Sequence, residues 1–422
     1  MNNSTPNTPI KSGVYISWFI LVSFYLYQYI LRSSSGVLID EIRYEFKMNA
    51  DDFAFFGSMY YYGYSLMQIP LGIMIDRIGI RHTAIYSISL CIIGTILFVT
   101  TQNIMVAYLS RLLMGIGSAS AFMGSLKLAS DYFPRSMQGV IMGATLTFGA
   151  IGALITGFPL NYLLESFSTW QTAFMLFGAL GALILLLALM YLPKNKKKQE
   201  NISEPTIDVW ENLKTILKNK HILLYACIAI GLFTPLSVMA DLWGTAFLVN
   251  KFNIAREAAS PILMNIYIGM AVGSIVIPLF LRKYSINRLI QFSTLMLFLL
   301  FVALVYLDNL THTNLIVLLI VIGFFCGAEM LCFTAALGYT NSSISGLTIG
   351  IVNTLNMLAG GMMQQAIGSY LDFTWTGQLD QNGLRIYSTQ EFVEAFSILV
   401  AIIGICAIIA FMTLGKNKEK TT

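Results

Sequence analysis

The chain alternates between long apolar runs and short polar joints. Two of the runs, TAIYSISLCIIGTILFVT at 83–100 and TAFMLFGALGALILLLALMYL at 172–192, come close to the ~20 residues that a bilayer-spanning helix requires. The alternation predicts twelve such segments, at 14–38, 53–75, 83–101, 104–130, 137–160, 172–193, 222–248, 258–281, 287–307, 314–337, 345–371 and 391–414. Only a helix satisfies its own backbone polar groups over a run of that length in lipid, so the expected fold class is an all-α membrane protein of twelve transmembrane helices.

Composition sharpens this by exclusion. Hydrophobic residues make up 56% of the chain and charged residues 11%, against roughly 25% charged in an average soluble domain. A soluble core cannot absorb that much apolar surface. The polar start MNNSTPNTPIKSG lacks a cleavable-signal pattern, which predicts that the first run is retained as a helix. Cys91, Cys227, Cys326, Cys332 and Cys406 all fall in apolar runs, and His82, His221 and His312 lie at segment ends far apart. Neither a disulfide framework nor a metal site follows from such spacing. No nucleophile with a base is visible either, so an enzyme is not expected, and neither a cofactor nor a nucleic-acid partner is expected.

An even number of spans puts both ends on one side, and the basic residues choose which. With the termini inside, cytoplasmic stretches carry 17 Lys and Arg, against five outside (Arg43, Lys47, Lys251, Arg256 and Arg385) and three within helices (Arg32, Arg111 and Lys127). Both termini are therefore expected in the cytoplasm. The polar stretch 194–221 separates an N-terminal six-helix bundle, 1–193, from a C-terminal one, 222–422. Its Lys194–Lys198 cluster reads as a solvated loop or as a contact for anionic lipid.

The halves resemble each other. Gly139-x3-Gly143 and Gly346-x3-Gly350 open segments five and eleven at an offset of 207, and Gly63 and Gly269 are offset by 206 in segments two and eight. The basic turns Arg77–Ile80 and Lys283–Ile286 correspond as well. Ala173-Phe174 and Ala395-Phe396 match at a larger offset, as the longer loop 372–390 requires. A duplicated six-helix unit predicts a site near mid-membrane where the repeats meet.

The turn GIMIDRIGIRH, 72–82, resembles the signature of the major facilitator superfamily, Gly-x3-Asp-Arg-x-Gly-x-Arg, through Gly72, Asp76, Arg77, Gly79 and Arg81. Ile80 stands where that family often has a basic residue. In SRLLMGIGSASAF, 110–122, Arg111, Gly115 and Gly117 resemble its Arg-x3-Gly-x-Gly pattern. Segment five lacks the Gly-Pro pair of the drug antiporters. The stretches 25–46 and 126–139 are similar to the organic-anion and amino-acid branches, including phagosomal nutrient transporters. Ser118 replaces an acid often found in the sugar-acid branch. The resemblance covers essentially the whole chain. It implies two pseudo-repeated bundles and a secondary active transporter that works by alternating access, functional as a monomer in a bacterial inner membrane. It also implies a gating role for the 72–82 turn and for Arg111. Physically, Gly72 would let a neighbouring helix approach, and Asp76 and Arg77 would pair across the cytoplasmic face and be remade as the halves rock. The alternative is a basic turn that serves orientation alone.

Polar residues inside the apolar runs supply the candidate chemistry. Tyr25, Gln28, Tyr29, Arg32 and Ser35 share one helical face of segment one. Arginine near the bilayer centre costs from ~2.5 to above 10 kcal/mol, so this stripe is expected to face the interior. Arg32 reads as a bidentate grip on a substrate anion, as a partner of a structural acid, or as a side chain snorkelling outward. Segment two adds Tyr61, Tyr64, Ser65 and Gln68, as a site lining or as an interfacial belt. Segment eleven adds Asn353, Asn356, Gly360 and Gln364, as substrate contacts or interhelical glue. Glu329 is the one carboxylate deep in an apolar run. It is the first expectation for proton coupling and for Arg32's partner; Asp241 is the second, with a helix-end acid near the surface as its plainer reading. The expected function is proton-coupled symport of a small, carboxylate-bearing solute such as an amino acid, dipeptide or organic acid. A proton-independent uniporter or exchanger is the alternative, and a membrane sensor or scaffold the reading outside transport.

Overall fold

The computed structural model describes residues 12–166, 169–193, 209–341 and 344–414. Eleven helices among the described residues are long and apolar enough to cross a membrane. The expected second segment is helical too, but it forms the first part of the long helix Ala50–Thr100 and is not among those eleven. Its tyrosines at 60–62 and 64, with Gln68 and Pro70, dilute its apolar character. At Gly79 this helix breaks, with φ 82°, a conformation that only glycine takes without strain. The 72–82 turn is thus the joint between spans two and three.

The duplication reappears as two helix crossings. A side chain on Gly63 of span two would strike the Leu112 carbonyl of span four, and one on Gly269 of span eight would strike the Ile320 carbonyl of span ten. Gly115 lies equally close to the Tyr60 carbonyl, and Gly323 to that of Ile266. Small residues let backbones meet where lipid offers no hydrophobic drive to bring helices together.

Several spans bend. Span four runs as Ile104–Ser118 and Ser120–Tyr132. Span seven is Lys220–Thr234, then a π-helix Pro235–Trp243, then Gly244–Phe252. Span ten divides at Gly327 and Ala328 into His312–Cys326 and Glu329–Leu337. Between the halves, the helix Val209–Lys218 is described, while Lys194–Lys198 lie outside the described residues.

The first and last six spans meet tightly on the face away from the termini. There Arg256 donates to the Val37 carbonyl at 2.5 Å and pairs with Asp40 at 3.1 Å and with Glu41. Arg43 donates to the Arg385 carbonyl at 2.8 Å, and Arg385 pairs with Asp372 at 3.0 Å. Asp372, on span eleven, also accepts the Asp51 backbone N–H at 2.8 Å, so one half supplies a carboxylate to the positive helix start of the other. Tyr387 donates to Asp372 as well. Burial and that carboxylate push the Tyr387 phenol well up from its ordinary value, which keeps it a donor.

The terminal face is open by comparison. A Cβ added at Gly72, Gly143, Gly346 or Gly350 would meet nothing within 4 Å. Among the described residues, the close helix approach expected at Gly72 is therefore absent in this arrangement. Arg77 is exposed. Arg81 turns back within its own half and donates to the Leu189 carbonyl at 2.6 Å and to that of Leu192, at the negative end of span six. The Asp76 side chain lies outside the described residues.

Candidate functional site

Spans one and seven cross at the centre of the interface. A Cβ on Gly36 would lie 2.9 Å from the Leu242 backbone, so the two helices touch main chain to main chain. This contact brings Arg32 and Ser33 of span one against Asp241 of span seven. Arg32 Nε lies 2.9 Å from Asp241 Oδ2, and the two side chains are 3% and 1% exposed. The Arg32 guanidinium carbon stands 4.1 Å over the Tyr29 ring, adding a cation–π contact.

Asp241 is the hub. Its Oδ1 accepts from Ser33 Oγ at 2.5 Å and from the Tyr267 hydroxyl, and its Oδ2 accepts from the Tyr61 hydroxyl. Tyr61 is on span two and Tyr267 on span eight, 206 residues apart, the same offset as Gly63 and Gly269. The two repeats thus contribute equivalent tyrosines to one carboxylate. Such a shell meets the requirement that a buried charge be paired and hydrogen-bonded.

Arg32 is less well served. Among the described residues its Nε–H has no aligned hydrogen-bond acceptor despite the short ion-pair distance, and its Nη2 reaches only the Tyr267 hydroxyl, at 3.4 Å. The guanidinium fork is held electrostatically, with hydrogen-bonding capacity to spare. Beside it, Arg111 donates to the Leu31 carbonyl at 2.8 Å and the Arg32 carbonyl at 3.4 Å, and lies 5.0 Å from the Tyr60 ring centroid. Among the described residues Arg111 has no carboxylate within ion-pair distance. It adds a second buried cation while fixing the backbone that presents Arg32.

These positions correct two sequence expectations. Asp241, not Glu329, is the partner of Arg32, and Asp241 is buried, not a helix-end acid at the surface. The physical reason is the π-helix. Pro235 supplies no N–H, the ladder widens so that Gly244 N–H reaches the Met239 carbonyl five residues back, and Asp241 sits on this widened turn facing span one. Gln364 of span eleven holds the segment at both ends. Its side chain donates to the Ser237 carbonyl at 2.6 Å, and its own carbonyl accepts the Trp243 indole at 3.1 Å.

The remaining candidates form separate polar contacts. Glu329 accepts from Asn356 Nδ2 at 2.7 Å, just past the break in span ten. Asn353 Nδ2 donates to Gln68 Oε1 at 3.0 Å, across the two halves, and Gln68 donates to the Ala119 carbonyl at the break in span four. Gln28 accepts from the Tyr60 hydroxyl at 2.8 Å within the first half, and Tyr64 is buried with its ring 6.4 Å from that of Tyr60. Sequence reasoning missed Ser33 and Tyr267. The repeat offset applied to Tyr61 would have found Tyr267.

Comparisons with known proteins agree with this architecture. Residues 18–363 match the profile of the Major Facilitator Superfamily. The uncharacterized transporter YybO of Bacillus subtilis (strain 168) is 24% identical over 398 residues, covering 87% of this chain and 90% of that protein. A protein of the same organism described as a probable galactarate/D-glucarate transporter, GudP, is 23% identical over 317 residues, 65% of this chain and 68% of its own. Among solved structures, a bacterial homologue of the human lysosomal transporter Spinster, inward-facing and unoccupied, superposes with a TM-score of 0.76 at 14% identity, covering 96% of this chain and 98% of its own. With the profile spanning most of the sequence and the fold shared over nearly its whole length, the chain belongs to the Major Facilitator Superfamily, whose members are membrane transporters and not enzymes.

Proposed function

We propose that this protein is a secondary transporter of a small solute bearing a carboxylate, gripped by Arg32 and coupled to protons through Asp241. The observation that carries the reading is the Arg32–Asp241 pair, in which an internal carboxylate occupies a buried guanidinium where the two halves meet. A substrate carboxylate suits that fork bidentately and competes with Asp241 for it. Protonating Asp241 removes the competitor, so proton and anion binding favour each other. By linkage the effect is reciprocal. The similarity to a transporter described for galactarate and D-glucarate supports an anionic solute.

Around this centre, Tyr29, Gln28, Tyr64, Gln68, Asn353 and Asn356 are proposed as further substrate contacts, and Glu329 as a second proton site. The bundles 1–193 and 222–422 rock about the site, with the 72–82 turn and Arg111 in gating. The basic-residue distribution supports cytoplasmic termini and an inner-membrane setting. In that orientation the open face is the cytoplasmic one. Binding of labelled organic acids, amino acids and dipeptides to purified protein tests the reading. An anionic ligand should bind the native chain, and Arg32→Gln should lose it at least tenfold. Undiminished affinity in that variant would leave Arg32 a structural residue only.

A further inference from the structure

On the terminal side of the second half, a lateral cavity of about 400 Å³ opens between spans eight, nine and ten. Its wall is apolar, made by Ile277, Leu289, Phe292, Phe324 and Phe325. Phe292 is 54% exposed, as are the neighbouring Leu279 and Phe280 at 59% and 48%, so this face is turned outward, away from the site between the halves. At the mouth stand Tyr284 and Arg288, with Arg282 and Lys283 on the adjoining turn. All three cations are exposed, and none has a carboxylate partner among the described residues.

We infer that this cavity is a binding site for an anionic phospholipid, its acyl chain in the aromatic groove and its headgroup phosphate on Arg288, Arg282 and Lys283. A groove on the lipid-facing side of a membrane helix bundle is filled by hydrocarbon, and one cation at its mouth with two on the adjoining turn, none matched by a carboxylate among the described residues, select a negative headgroup. Charge complementarity thus commits the site to one occupant. The position gives the lipid a purchase on transport. Phe324 and Phe325 directly precede the break in span ten, and Gly273 of span eight lies against the Phe324 carbonyl and Gly327. Past that break comes Glu329. An acyl chain seated there braces the span eight and ten crossing from outside. The assignment is independent of which solute the transporter carries.

The test uses purified full-length protein in neutral detergent with phosphatidylglycerol carrying a photoactivatable acyl chain, and the same probe with a phosphatidylcholine headgroup. Mass spectrometry should map the phosphatidylglycerol label to Phe292, Phe324 or Phe325. Labelling should exceed the phosphatidylcholine control by about fivefold or more, the factor expected for even one basic contact. Combined Arg282→Gln, Lys283→Gln and Arg288→Gln should reduce it to the control. If that triple variant fails to fold, Arg288→Gln alone should lower labelling by about fivefold. Equal labelling by the two headgroups, label confined to other helices, or a dimer that closes the groove to both lipids would overturn the inference.

Discussion

At the scale of single residues, Arg32 and Asp241 stabilise each other in a place where neither charge is tolerated alone. Arg32→Gln leaves Asp241 buried without its counter-charge, a loss of about 3–5 kcal/mol for a broken buried pair. It should appear as a lowered melting temperature of the purified protein. Adding Asp241→Asn to the same chain should recover most of that stability without recovering anion binding, and a double-mutant cycle would measure the coupling. Tyr61→Phe and Tyr267→Phe each remove one donor to the carboxylate and should cost about 1.5–3 kcal/mol apiece, the range for hydrogen bonds to charged groups. Arg32 was legible in the sequence because a permanent cation on a polar stripe has few places to go in a membrane. Its partner was not. Glu329 stands deep in its run and drew the assignment, whereas Asp241 reads as a helix-end acid until the π-helix turns it inward. Hydrophobic pattern does not encode a change of helical register, although Pro235 marks where it begins.

At the scale of helices, glycines do two different jobs, and substitution separates them. Gly63 and Gly269 face backbone across a crossing, so valine at either forces the helices apart and should destabilise the fold by about 1–3 kcal/mol. Gly350 faces open space on the terminal face. Gly350→Val should keep the native melting temperature yet slow transport, because that surface must close when the halves rock the other way. Equal destabilisation at all three positions would contradict this division. Run length alone located the spans, and the repeat offset correctly paired Gly63 with Gly269. The joint at Gly79 was readable as the 72–82 turn, whereas the break at Gly327–Ala328 was not, since it depends on what the neighbouring helix presents. The second span was recognisable as helix, but its tyrosines weaken the apolar signal for the same reason that they line the interface.

At the scale of the whole molecule, the cross-half contacts of Arg256 with Asp40, of Arg43 with the Arg385 carbonyl, and of Asp372 and the Tyr387 hydroxyl with the backbone N–H groups of Asp51 and Ala50 hold one face shut while the terminal face stands open. Asp372→Asn removes the charge that pairs Arg385 and serves the start of the Ala50–Thr100 helix. It should shift the population toward opening of that face. In a chain freed of its native cysteines, spin labels at positions 102 and 309 would report this as a longer-distance fraction that grows in the variant; an unchanged distance distribution would assign the lock elsewhere. The central claim is that Arg32 carries a carboxylate solute in exchange with Asp241, whose protonation ties transport to the proton gradient. Uptake of labelled carboxylates into liposomes, with and without an imposed inward proton gradient, compares the native chain with Asp241→Asn. The native protein should accumulate its solute only with the gradient, while Asp241→Asn should equilibrate the same solute and ignore the gradient. Gradient-independent accumulation by the native protein, or a full gradient response in Asp241→Asn, would contradict the account.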